Sequence, residues 1–186
     1  RIGPAFLRAG CGYGGSCFPK DVRAMEHISK TAGYKNLFVD AIQAVNKNQK
    51  KRFVDKIQEK LGRAIEGATI AVWGLSFKAD TDDIRESSAI DVIEYLLERG
   101  ATVKAHDYKG MDNMKLIFKD RVEWCLDPVS AAAGADAVAL CKQVRGGKGG
   151  NGDLEGAFAG GHRLGPVIAL AVADAEDAIG DVERIA

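Results

Sequence analysis

Ala68-Thr69-Ile70-Ala71-Val72-Trp73-Gly74-Leu75 is a short apolar run, rich in β-branched residues at its start and carrying a glycine near its end. It has no polar alternation, which is the pattern of a strand covered on both faces. A polar loop follows, Ser76 to Ser88. Ala89 to Arg99 then sets Ile90, Val92, Ile93, Leu96 and Leu97 at helical spacing, and Gly100 ends that segment. Thr102-Val103-Lys104-Ala105-His106-Asp107 reads as the next strand. Strand, loop, helix, strand is a βαβ unit, and it predicts a doubly wound α/β domain with a parallel sheet. Further on, a strand near Val122 to Cys125, a short helix from Asp127 to Ala133 and an apolar strand from Ala135 to Cys141 extend the pattern.

Upstream the periodicity is helical. Pro19 belongs in the first turn of a helix running through Lys30, with Val22, Met25 and Ile28 on one face and Gly33 at its end. Leu37 to Leu61 reads as a long helix, with Phe38, Ile42, Val45, Phe53, Ile57 and Leu61 as its apolar stripe. At roughly 37 Å it is too long to bury against residues 1–33 alone. It is expected to need another domain or a second copy of the chain. The polar run Asn46 to Arg52 interrupts the stripe and reads either as a solvated face or as a patch turned to a ligand or subunit. Residues 62–67 read as a linker. Residues 142–165 hold nine glycines and little periodicity, which predicts disorder. Residues 166–186 are expected to form a strand, Val167 to Val172, and a short acidic helix.

The 186 residues balance 26 Lys and Arg against 26 Asp and Glu, so no polyanionic partner or nucleic acid is indicated. No apolar run approaches the ~20 residues that cross a bilayer. Arg1-Ile2-Gly3-Pro4 carries neither an initiator methionine nor an apolar leader, and the chain is expected to be the interior of something longer. Cys11, Cys17, Cys125 and Cys141 fit no zinc spacing, and a reducing cytoplasm is the expected compartment.

Two stretches carry chemistry. In Gly12-Tyr13-Gly14-Gly15-Ser16-Cys17-Phe18-Pro19-Lys20-Asp21, the glycines let a ligand approach the main chain. Cys17 is then either a nucleophile favoured by a helix start and a lysine, or an ordinary buried thiol. Asp21 lies within reach for proton transfer. The second stretch, Ser76 to Ser88, leaves the carboxyl end of a parallel strand, where open α/β sheets bind ligands. Lys78 and Arg85 there suit phosphates, or are surface charges on an acidic loop. Trp73-Gly74-Leu75 carries no dinucleotide fingerprint. His106-Asp107 reads as a strand-end turn in preference to a ribose contact.

Taken with Arg1 to Gly10, these two stretches, Gly12 to Asp21 and Gly74 to Ser87, resemble the UDP-glucose/GDP-mannose dehydrogenase family, most closely its UDP-glucose branch. The likeness covers residues 1 to about 141. It implies an α/β fold in which a helical central-domain remnant (1–63) with a long dimer helix precedes a Rossmann-like parallel-sheet nucleotide-sugar-binding domain (67–141). Residues 142–186 are a divergent glycine-rich tail. The implied activity is four-electron oxidation of UDP-glucose to UDP-glucuronate by two NAD. Cys17 is implied as the nucleophile that forms a thiohemiacetal and then a thioester, and Asp21 as the residue that helps activate water. Lys20 and Arg85 are implied on the NAD side. Arg8, Gly12, Tyr13 and Gly14 are implied around the nucleotide sugar, Phe77 and Lys78 as substrate contacts, and Arg1 as reaching a neighbouring subunit's substrate. The implied partner is a second copy through helix 37–61.

The chain departs from the family in lacking the N-terminal Rossmann domain and the first part of the central domain. Cys11 stands where a proline is common, and no family-like strand end follows Cys141. A fragment inactive by itself is therefore expected. The alternatives are a GDP-mannose dehydrogenase fragment and a non-catalytic nucleotide-binding or dimerisation module.

Overall fold

The computed structural model describes residues 10–141 and the backbone of residues 168–171. Two helices come first, α1 (Phe18–Thr31) and α2 (Leu37–Leu61). The α/β part then runs β1 (Thr69–Trp73), α3 (Ser88–Glu98), β2 (Thr102–His106), α4 (Met111–Phe118), a 3-10 turn (Lys119–Arg121), β3 (Glu123–Trp124), α5 (Pro128–Ala132), β4 (Ala137–Leu140) and β5 (Ile168–Ala171). The five strands form one parallel sheet in the order β3-β2-β1-β4-β5. The chain moves outward from β1 to β3 and then returns to the other side of β1. The gap between the carboxyl ends of β1 and β4 is thus a topological switch point, where such sheets leave a crevice.

β1 is central, and alternate side chains serve two cores. Ile70 and Val72 join Val92, Ile93 and Leu96 of α3, Met114 and Phe118 of α4, and Phe53, Val54 and Ile57 of α2. Ala71 and Trp73 face a smaller cluster with Ala131, Ala132 and Val138. Local chemistry sets the helix ends. The Asn36 side chain accepts from the Val39 amide at 3.3 Å to start α2, and Gly62 ends it at φ +64. Ser87 caps α3 and Gly100 follows it at φ +80.

The bounds of α2 match the sequence reading, and of the two neighbours expected for it, another domain or a second copy, the first is present. The helix is covered along its second half by this chain's own α/β core, with Lys50, Phe53, Val54 and Ile57 buried. Phe38 and Val45, read as part of the apolar stripe, are 75% and 65% exposed. The buried side of the helix shifts along its length, and Val54, absent from the sequence reading, belongs to the buried half. Residues 62–67 are no free linker. Ile65 is buried in the core, the Ala68 amide donates to its carbonyl at 2.9 Å, and the Gly67 amide donates to Gly100 at 2.9 Å. Helix α4 was not anticipated, although Met111, Met114 and Phe118 sit three and four apart. The expected strand at Val167 to Val172 is present as β5. The disorder expected for 142–165 and the acidic helix near the carboxyl end fall outside the described residues.

Candidate active site

The glycine-rich loop reaches the switch point because both of its sides are fastened. On one side, helix α2 turns Asn46, Gln49 and Lys50 toward it, one helical turn apart. The Asn46 carboxamide pairs with the main chain of Tyr13, accepting from its amide at 2.7 Å and donating to its carbonyl at 3.1 Å. Gln49 Nε2 donates to the Gly10 carbonyl at 3.1 Å. Lys50 lies along Gly12 and ends in an ion pair with Asp91 of α3 at 2.6 Å. On the other side, the Ser88 hydroxyl donates to the Gly12 carbonyl at 2.9 Å, and the Gly15 amide donates to the Arg85 carbonyl at 2.9 Å. The polar run 46–52 is thus not simply a solvated face. Three of its members hold the loop.

The two chemistry-bearing stretches touch. A side-chain carbon at Gly14 would overlap the Glu86 carbonyl oxygen, and one at Gly15 would lie 2.6 Å from the Phe77 ring. Gly15 also holds φ +90. Only glycine allows the first stretch to lie flat on the second.

The second stretch is itself pinned from below. The Asp107 carboxylate accepts from the Leu75 amide at 2.7 Å and from the Lys109 and Gly110 amides at 2.8 Å each. The Ser87 hydroxyl donates to the Leu75 carbonyl at 2.6 Å. His106-Asp107 is therefore the strand-end turn the sequence suggested, and that turn sets the start of the loop.

Between the two stretches and α2 lies a cleft of about 750 Å³. Gly12, Tyr13, Gly14, Phe77 and Lys78 line it, with Cys141 at the end of β4. Its size suits a small organic ligand. Lys78 Nζ sits 5.2 Å from the centre of the Phe77 ring. Cys17 immediately precedes α1 and is exposed, its sulfur 3.8 Å from the Ser16 hydroxyl. The Asp21 amide donates to the Cys17 carbonyl at 2.9 Å, so Asp21 stands one helical turn on.

Lys20 and Asp21 form an exposed ion pair at 3.3 Å. Arg85 is exposed and its fork is taken by Asp83, at 2.6 Å from Nη2. That contact and the Arg85 amide hold the Asp83 carboxyl down to about 2. Cys17, Lys20, Asp21 and Arg85 lie outside the cleft lining. Arg1 and Arg8 lie outside the described residues.

The sequence reading missed Asn46, Gln49, Ser88 and Asp107 as the residues that place the site. Their signal was limited to polar side chains three or four apart on a helix, or beside a strand end.

A match to the UDP-binding domain of the UDP-glucose/GDP-mannose dehydrogenase family spans residues 71–146, and a match to its central domain spans residues 1–48. The chain belongs to the UDP-glucose/GDP-mannose dehydrogenase family. Among relatives within it, UDP-glucose 6-dehydrogenase TuaD of Bacillus subtilis is 42% identical over 137 residues, covering 74% of this chain and 30% of the relative. The UDP-glucose dehydrogenase of Pyrobaculum islandicum superposes with a TM-score of 0.78 at 29% identity, over 96% of this chain and 38% of that one. GDP-mannose dehydrogenase of Pseudomonas aeruginosa superposes with a TM-score of 0.69 at 25% identity, over 89% of this chain and 38% of that one. This member of the family spans about a third of the length of the curated relatives it matches. Among the described residues no helix is long and apolar enough to cross a membrane.

Proposed function

We propose that this chain is the substrate-side part of an NAD-dependent UDP-glucose 6-dehydrogenase. The observation that carries this reading is the contact between the two stretches: Gly14 and Gly15 lie on Glu86 and Phe77, at the mouth of a cleft beside the β1–β4 switch point. In this reading residues 1–63 are the central helical part and 67–141 the UDP-sugar-binding part, working in the cytoplasm. Tyr13 and the glycines face the nucleotide sugar, joined by Arg8. Phe77 and Lys78 contact it from the other side, and Arg1 reaches the substrate of a second subunit.

Cys17 is the nucleophile. Its sulfur adds to the C6 aldehyde as a thiohemiacetal and holds the acyl group as a thioester until water hydrolyses it. Covalent capture splits one difficult oxidation into two steps. Asp21 is placed to orient or deprotonate that water. Lys20 and Arg85 offer exposed positive charge near Cys17 and fit the anionic phosphates of NAD. NAD, when bound, supplies the hydride acceptor. The described βαβ unit has no glycine fingerprint of its own for that cofactor.

Calorimetric titration of the purified chain tests the substrate side. Saturable binding of UDP that UDP-glucose competes away is expected, and no heat with either would overturn the reading. The structural likeness to a GDP-mannose dehydrogenase supports a second reading, which GDP binding tighter than UDP would favour. With UDP-glucose and NAD, this chain alone is expected to produce no NADH. Clear NADH formation would overturn that part.

A further inference from the structure

Two thiols that the proposed chemistry does not use meet in the lining of the cleft. Cys11 and Cys141 are 130 positions apart in sequence, and Cys11 Sγ lies 3.7 Å from the Cys141 carbonyl oxygen. The Cys11 thiol thus donates to the main chain of Cys141. Both border the cleft, Cys11 at 3% exposure and Cys141 half-buried. Cys125 is buried on the opposite side of the sheet, beside Ala131 and Trp73.

The surroundings divide the labour within the pair. Its contact with Cys141 draws Cys11 below the ordinary thiol range against the cost of burial, with help from the Ser88 hydroxyl and the Lys50 ammonium. The same contact, together with burial, keeps the proton on Cys141. Cys11 is thus the sulfur disposed to attack, and Cys141 resolves as it gives up its proton.

We infer that Cys11 and Cys141 form a redox-reactive pair, which a peroxide converts to a disulfide that fastens the glycine-rich loop to the carboxyl end of β4. The Cys11 thiolate attacks one oxygen of hydrogen peroxide and the O–O bond breaks. Cys11 becomes a sulfenic acid, and the departing hydroxide takes up a proton as water. The Cys141 sulfur then attacks the Cys11 sulfur, the S–O bond breaks, and the hydroxyl leaves with the Cys141 proton as a second water. Two thiols lose two electrons and two protons, and one peroxide becomes two waters. A peroxide is small enough to enter a cleft lined by both sulfurs. The pair needs no bound nucleotide, so this inference stands apart from the enzymatic reading.

The full chain is treated with a small excess of hydrogen peroxide, alkylated with iodoacetamide, and digested without reduction. Trypsin leaves Cys11 and Cys17 together on residues 9–20, and Cys125 and Cys141 together on residues 122–142. Fragmentation inside the cross-linked peptides therefore has to assign the sulfurs. The expected result is a Cys11–Cys141 link in most chains, with Cys125 alkylated. The link should persist in Cys17→Ser and fall at least several-fold when peroxide is added in urea. A Cys11–Cys17 link, full alkylation of Cys11 and Cys141 after peroxide, or an equal yield from the unfolded chain would each overturn the inference.

Discussion

Gly14 shows how little room one residue has. A methyl group there would run into a carbonyl oxygen, not into a flexible side-chain tip. Gly14→Ala is therefore expected to lower stability by about 1–3 kcal/mol in urea unfolding, as overpacking does. It should weaken UDP binding more than Gly33→Ala does, since nothing lies within 4 Å of Gly33. Asp83 gives a second test. Arg85 depresses its carboxyl from 3.8 to about 2. A depressed acid contributes stability that is complete above its unfolded value near 3.8 and is lost as pH falls through about 2. A carbon-detected NMR titration should give that midpoint near 2, and Arg85→Ala should return it toward 3.8. The Arg85 side chain is 69% exposed, so the effect on global stability is small. At this scale the sequence was informative where chemistry is unusual, at Cys17 and the glycines around it. It was silent at Glu86, whose main chain is what Gly14 must accommodate.

Among the elements, α2 holds the site most directly. Asn46→Ala removes both bonds to the Tyr13 main chain and leaves two peptide groups to find water. A loss of about 1–3 kcal/mol is expected in thermal or urea unfolding. UDP affinity should fall as well, whereas Lys47→Ala, on the exposed side, should leave both unchanged. The ends of α2 were readable because Asn36 and Gly62 are chemical start and stop signals. The identity of its neighbours was not, because a polar side chain on a helix does not announce what it faces. Helix α4 escaped for a different reason. It has only 8 residues, and its apolar positions resemble a loop beside a strand unless the sheet they pack on is known. The strands were legible because continuous apolar runs have few other uses in a chain of this size.

For the whole molecule, the exposed first half of α2 supports the proposal of a second copy. Light scattering on the eluting chain is expected to give a dimer, and Phe38→Glu with Val45→Glu a monomer. A monomer at every concentration for the unaltered chain would remove that partner. Family membership was readable from order and spacing, since two separated motifs constrain each other. The cleft between them was not, because its walls come from segments far apart along the chain: Gly12 with Ser88 across 76 positions, and Cys11 with Cys141 across 130. Such remote closures are expected to come late in folding, after the βαβ unit has collapsed on its own local contacts. The glycine-rich loop should then be unstructured in the folding transition state. A nucleotide bound to it would slow unfolding and leave the folding rate nearly untouched.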